Sequence, residues 1–115
     1  MSASPHILST ALEACQAGYS LPQEFYNDAD VFQADIDAIF YQEWLFAAPE
    51  CEIPNAGDYI TLAVHEALII VLRDKQGEIR AFHNTCRHRG SRLCDKARGN
   101  KARLVCPYHQ WTYDD

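Results

Sequence analysis

Two cysteine–histidine pairs constrain this chain of 115 residues more than anything else in it. Cys86 and His88 flank a single residue; after seventeen intervening residues, Cys106 and His109 flank two. Each pair presents one thiolate and one imidazole, so two loops meeting at one place supply two sulfurs and two nitrogens. Such a set suits an iron–sulfur cluster with two cysteines on one iron and two histidines on the other. It also suits a zinc ion held by two cysteines and two histidines, and donor identity alone leaves both open. Zinc knuckles usually space their ligands by two to four residues. The one-residue gap at Cys86 and His88 turns two side chains of a tight loop the same way, toward two ions more readily than one.

The flanks narrow the choice. The string Cys86-Arg87-His88-Arg89-Gly90-Ser91, followed by Cys106-Pro107-Tyr108-His109-Gln110-Trp111-Thr112-Tyr113, resembles the Rieske motif of ring-hydroxylating and related non-haem iron oxygenases. The resemblance starts near Leu21 and takes in Leu21-Pro22-Gln23-Glu24-Phe25-Tyr26, Glu43-Trp44-Leu45-Phe46, Gly57-Asp58-Tyr59 and Ala81-Phe82-His83-Asn84. It implies a Rieske-type 2Fe–2S cluster held by Cys86, His88, Cys106 and His109. It implies a mainly β fold with N-terminal helices: a helical arm over 1–44, then an antiparallel Rieske domain over 45–115 with two cluster-binding loops, incomplete at its C-terminus. Most oxygenases of this class carry Gly where Gln110 stands. The Tyr-His-Gln-Trp version is similar to members acting on quaternary ammonium compounds such as glycine betaine, choline or stachydrine. Rieske proteins of respiratory chains differ: they carry a loop-bracing cysteine where this chain has Ser91 and another where it has Tyr108. They also have a hydrogen-bonding serine where Trp111 stands, whereas Tyr113 keeps the other donor position. Fewer hydrogen bonds to sulfur lower a cluster's potential.

The resemblance further implies an N-terminal fragment of an oxygenase large (alpha) subunit. Electrons would come from a ferredoxin or flavin reductase. They would leave for a mononuclear Fe(II), held by two histidines and a carboxylate in a C-terminal domain that this chain lacks. A homo-oligomer is expected of the full-length subunit. Two other classes compete. A free-standing Rieske ferredoxin would carry electrons without chemistry, but small ferredoxins lack an N-terminal extension of roughly 44 residues. A zinc-stabilised interaction module would be colourless where a Rieske cluster is red-brown.

Composition excludes more than it selects. The length suits one domain. The longest apolar run, Ala67 to Leu72, has six residues, far short of a membrane span. No Lys or Arg precedes an apolar stretch at the N-terminus, so no secretory signal is expected. Five cysteines, with two in the ligand set, leave Cys15, Cys51 and Cys94. A reducing, cytoplasmic setting is the expectation, with Cys15 and Cys51 as small core or semi-core residues and Cys94 in packing. The net charge of −6 divides sharply: residues 1–58 carry −10, and residues 59–115 carry +4. Seven basic residues lie between Arg87 and Arg103, opposed only by Asp95. The bland reading is a solvated basic loop balancing the acidic half. The functional reading is a positive collar that favours a reduced, more negative centre and attracts an acidic redox partner. The acidic pI and the lack of a binding motif speak against nucleic acid.

Local patterns place these residues. Pro5 opens a helix that stops by Gly18, with Leu8, Leu12 and Cys15 on one face. Tyr19 to Phe25 reads as extended, because Pro22 disfavours helix before it. Asp28 or Asp30 caps a helix to about Trp44, whose Phe32, Ile36, Ile39, Phe40 and Trp44 form a core-facing stripe. Beyond Leu45, segments 58–64, 67–72 and 79–83 read as an antiparallel meander, turned once by Lys75-Gln76-Gly77. The ligand loops fall at 84–92 and 105–111. His83, three residues before Cys86, could be mistaken for a ligand but reads as the structural end of a strand; His65 reads as a turn residue and His6 as part of the arm, and neither of these two has a partner at ligand spacing.

Overall fold

The computed structural model describes residues 5–114. The chain divides into two compact units, one ending at Leu45 and the other beginning at Phe46.

In the first unit, helix α1 (Pro5–Glu13) lies against helix α3 (Ala29–Asp35), with a single turn, α2 (Glu24–Asn27), between them in sequence. Asp28 starts α3 as the pattern requires: its carboxylate accepts the backbone N–H groups of Asp30 and Val31 at 2.9 and 3.1 Å. The helix does not reach Trp44. From Ile36 to Phe40 it widens into a π-helical turn, closed by Tyr41 N–H donating to the Ile36 carbonyl. An extra residue in the turn rotates everything after it by roughly 100° on the helix surface. That breaks the expected stripe. Ile36 is buried with Ala11 and Val31, but Ile39 and Phe40 are exposed, and Trp44 fully so; Phe32, which precedes the wide turn, is exposed as well. The α1 face is corrected too. Ala11 is its buried residue, Leu12 is exposed, and Cys15 lies beyond the helix end on the surface. Phe25 sits in α2 rather than in extended chain.

The second unit is built on a four-stranded antiparallel sheet in the order β3-β2-β1-β4. Strands β1 (Asp58–Val64), β2 (Ala67–Arg73) and β3 (Ile79–His83) form the meander, with Val64 opposite Ala67 and Arg73 opposite Ile79. The β1–β2 turn places His65 at φ +53°, a conformation open to few residues other than glycine. Asp74 organises the β2–β3 turn. Its buried carboxylate accepts the N–H groups of Gln76 and Glu78 at 2.9 and 2.8 Å and the Arg80 guanidinium at 2.6 Å. The fully apolar run of β2 buries Ile70 and Leu72 on one face, while Ile69 and Val71 on the other are half-buried. Cys51 lies in an exposed 3-10 turn (Glu50–Glu52) after Pro49, not in the core, because that short turn has no buried residue at all.

Two short elements have no clear signature in the sequence. β4 (Arg98–Asn100) pairs with β1, and β5 (Leu104–Val105) pairs with β6 (Thr112–Tyr113) as a separate hairpin. Around β4 the packing leaves room only for glycine at position 57. Its φ is +85°, and a Cβ there would meet the Lys101 carbonyl at 2.8 Å. The core of this unit gathers Tyr59, Ile70, Leu72, Cys86, Leu93, Cys94, Leu104 and Cys106, with Tyr113 packed against it. Both motif cysteines are therefore core residues.

Candidate metal centre

The two motif segments adopt the same six-residue turn. In the first, Cys86 N–H donates to the Ser91 carbonyl at 2.7 Å and Gly90 N–H to the Cys86 carbonyl at 2.9 Å. In the second, Cys106 N–H donates to the Trp111 carbonyl at 2.8 Å and Gln110 N–H to the Cys106 carbonyl at 2.9 Å. The fifth residue of each turn has positive φ, +73° at Gly90 and +63° at Gln110. Equivalent positions thus differ only in where the histidine falls: third in the first turn, fourth in the second. The second turn is the loop of the β5–β6 hairpin. The first leaves β3 after His83 and returns through irregular chain to β4.

A buried amide holds that return. The Asn84 side chain accepts the N–H groups of Leu93 and Cys94 at 3.0 and 2.8 Å and donates to the Cys94 carbonyl at 2.7 Å. Its backbone N–H donates to Leu68 of β2 at 2.7 Å. One residue therefore ties both ends of the first loop to the sheet. Its part was not readable from the motif, although an Asn two residues before a loop cysteine is a fair signal for such a clamp.

The four motif residues separate into two pairs. Cys86 and Cys106 are both buried in the core; His88 and His109 are exposed, with ring centres 4.7 Å apart. A single tetrahedral ion wants four donors around one point. Thiols inside and imidazoles outside instead match a two-iron group with its ligands divided two and two. Cys94 lies in the core, where burial pushes its thiol up, the form of a packing residue.

The surroundings favour a thiolate at Cys86. Tyr113 O–H lies 3.3 Å from its Sγ, and that oxygen accepts Arg87 N–H at 3.1 Å, leaving its proton free to point at sulfur. The Tyr113 hydroxyl is the largest influence lowering the Cys86 thiol. The backbone N–H groups of His88 and Arg89 and the Cys106 thiol add to it, against burial. The same bond raises the Tyr113 hydroxyl. On the outer side, Trp111 stacks on His88 with ring centres 4.4 Å apart and 9° between planes. Tyr108 lies against His109 at 3.9 Å, tilted 49°. His83 is exposed at the end of β3, beside a cleft of about 330 Å³ that it lines with Phe82, Leu93, Leu104 and Tyr113.

Comparison with known proteins bears on the same residues. The chain is 58% identical over 99 residues to the glycine betaine monooxygenase oxygenase subunit of Chromohalobacter salexigens, and 52% identical over 96 residues to that of Pseudomonas aeruginosa. These alignments cover 86% and 84% of this chain but only 22% of each relative. The chain therefore spans about a fifth of the length of the relatives it matches. Among solved structures, naphthalene 1,2-dioxygenase from Rhodococcus sp. bound to indole superposes with a TM-score of 0.83 at 39% identity, covering 96% of this chain and 25% of that one. A quaternary ammonium Rieske monooxygenase in complex with gamma-butyrobetaine gives 0.77 at 38% identity, covering 81% and 27%. The Rieske [2Fe-2S] domain family matches residues 43–115, which include both six-residue turns and the hairpin and sheet edge that carry them. With paired thiols inside, paired imidazoles outside and that match across the whole second unit, the chain belongs to the Rieske [2Fe-2S] domain family.

Proposed function

We propose that this chain is the electron-entry module of a Rieske oxygenase large subunit, with Cys86 and Cys106 as ligands of one iron and His88 and His109 as ligands of the other. The observation that carries the reading is the pairing itself: two buried thiols, two exposed imidazoles, presented by two turns closed in the same way. When bound, such a cluster supplies a one-electron carrier. The Tyr113 hydroxyl and the amides of His88 and Arg89 steady the negative charge on Cys86, and the core around Cys86 and Cys106 keeps water from the sulfurs. The imidazoles face outward, where a donor and an acceptor can approach.

The donor is a ferredoxin or flavin reductase, and the acceptor is a mononuclear Fe(II) in a catalytic domain of the longer protein or a neighbouring subunit, in the cytoplasm. Arg87, Arg89 and Arg92 are exposed around the first turn and suit a partner with an acidic face. The names of the relatives support a quaternary ammonium compound, glycine betaine first, as the substrate of the whole protein.

Reconstitution with iron and sulfide tests the assignment. The chain should turn red-brown and, once reduced, give a Rieske electron paramagnetic resonance signal. Cys86→Ser and His109→Ala should abolish the signal and Cys94→Ser should keep it. A colourless zinc protein, or loss of the signal in Cys94→Ser, would overturn the ligand set.

A further inference from the structure

We propose that Trp111 is the positioning residue for His88: its indole sets the plane of that imidazole and lowers the potential of the centre beside it. This rests on His88 being a ligand, as argued above.

A histidine ring turns about a broad, weakly two-fold torsion, and an exposed one has little to hold it. His88 is exposed, yet one face is covered by Trp111, nearly parallel at 9° and 4.4 Å. The other ring contacts at the site are not of this kind: His88 and His109 meet at 70°, and Tyr108 and His109 at 49°. The indole is itself anchored. The Trp111 carbonyl closes the second turn by accepting Cys106 N–H, and Thr112, the next residue, pairs with Val105. A side chain fixed in the second turn thus holds the ring of the first.

The arrangement is one-sided. The position equivalent to Trp111 in the first turn is Ser91, whose carbonyl accepts Cys86 N–H in the same way but whose side chain has no ring to offer. His109 therefore receives no parallel stack from across the site, only the edge of His88 and tilted contact with its own neighbour Tyr108. All five cysteines are free, so the turns have no covalent brace, and the Trp111–His88 stack is the parallel ring contact between them, beside the edge contact of His88 with His109.

The sign of the electrostatic effect follows from the ring. An aromatic face is electron-rich and prefers a more positive neighbour. An imidazole on an oxidised metal carries more positive charge than on a reduced one. The stack therefore stabilises the oxidised state and lowers the potential.

The test uses the chain reconstituted with iron and sulfide, comparing wild type with Trp111→Phe and Trp111→Leu. Both replacements fill space with apolar atoms, but only phenylalanine keeps an aromatic face. Midpoint potential and the g-values of the reduced cluster are the readouts. Trp111→Leu should raise the potential and shift the g-values, and Trp111→Phe should return both most of the way to wild type. If Leu and Phe lower cluster retention or melting temperature alike while the surviving clusters keep wild-type potential and g-values, Trp111 merely packs and the proposal is overturned. If wild type itself takes up no cluster, the ligand assignment fails first, which is a different result from a loaded wild type with two indistinguishable variants.

Discussion

A single hydroxyl is the most consequential polar atom beside the site. Tyr113 O–H reaches Cys86 Sγ while its oxygen takes the Arg87 N–H. Tyr113→Phe removes a donor to sulfur at almost constant volume. A reduced cluster is the more negative one, so losing the donor should lower the midpoint potential, by roughly 50–100 mV for a charge-assisted bond of about 1.5–2 kcal/mol. Potentiometric titration of the reconstituted variant checks this, and an unchanged or higher value would contradict it. Asn84 acts on stability instead. Asn84→Leu leaves the buried N–H groups of Leu93 and Cys94 without their acceptor and should cost about 2–4 kcal/mol in denaturant unfolding.

Turns and strands are where the sequence was most and least legible. β1 and β2 were plain because β-branched and apolar residues run between clear breakers, and Lys75-Gln76-Gly77 marks the turn into β3. The two cysteine–histidine turns were plain because their proposed chemistry needs particular residue types at particular steps. β4 was hidden. Arg98-Gly99-Asn100 has no strand pattern, and is extended because Asn100, Gly99 and Arg98 pair with Asp58, Tyr59 and Ile60. The helix after Asp28 misled because a periodic stripe cannot announce the extra residue inserted at Ile36–Phe40. At this scale the positive φ of Gln110 makes a prediction. Gln110→Gly removes the left-handed penalty, partly offset by the entropy of a freer unfolded chain, and should stabilise by about 0.5–1 kcal/mol. Gly90→Ala at the equivalent step has open space for its Cβ and should lose about 1 kcal/mol from backbone strain alone. The β2–β3 turn gives a pH dependence. Arg80 and the amides of Glu78 and Gln76 hold the Asp74 carboxyl below its ordinary 3.8. Its contribution is therefore complete above that value and is lost as pH falls through the lower folded pKa. Melting temperature should drop more steeply on acidification in wild type than in Asp74→Asn, which should be less stable at neutral pH.

Across the whole molecule, charge and thiol exposure are unevenly spread. The first 58 residues carry −10 and the rest +4, with the basic excess gathered from the first cysteine–histidine turn onward. Electron transfer from an acidic donor should slow as salt rises, and Arg89→Ala combined with Arg92→Ala should flatten that dependence. A rate insensitive to ionic strength would remove the collar from the account. Thiol reactivity checks the architecture directly. In the metal-free native chain, Cys15 and Cys51 should react promptly with a thiol reagent, while Cys86, Cys94 and Cys106 should wait for unfolding.

The two cysteine–histidine turns share one closure, a pair of backbone hydrogen bonds spanning six residues, with the histidine one step later in the second. Such a closure is a unit of sequence inheritance. Inserting or deleting a residue inside either hexapeptide breaks a hydrogen bond and displaces its histidine together. Length variation among descendants of this chain should therefore be barred within the hexapeptides, and the second hexapeptide should be portable, as a cassette, to another β-hairpin whose ends match those of Val105 and Thr112.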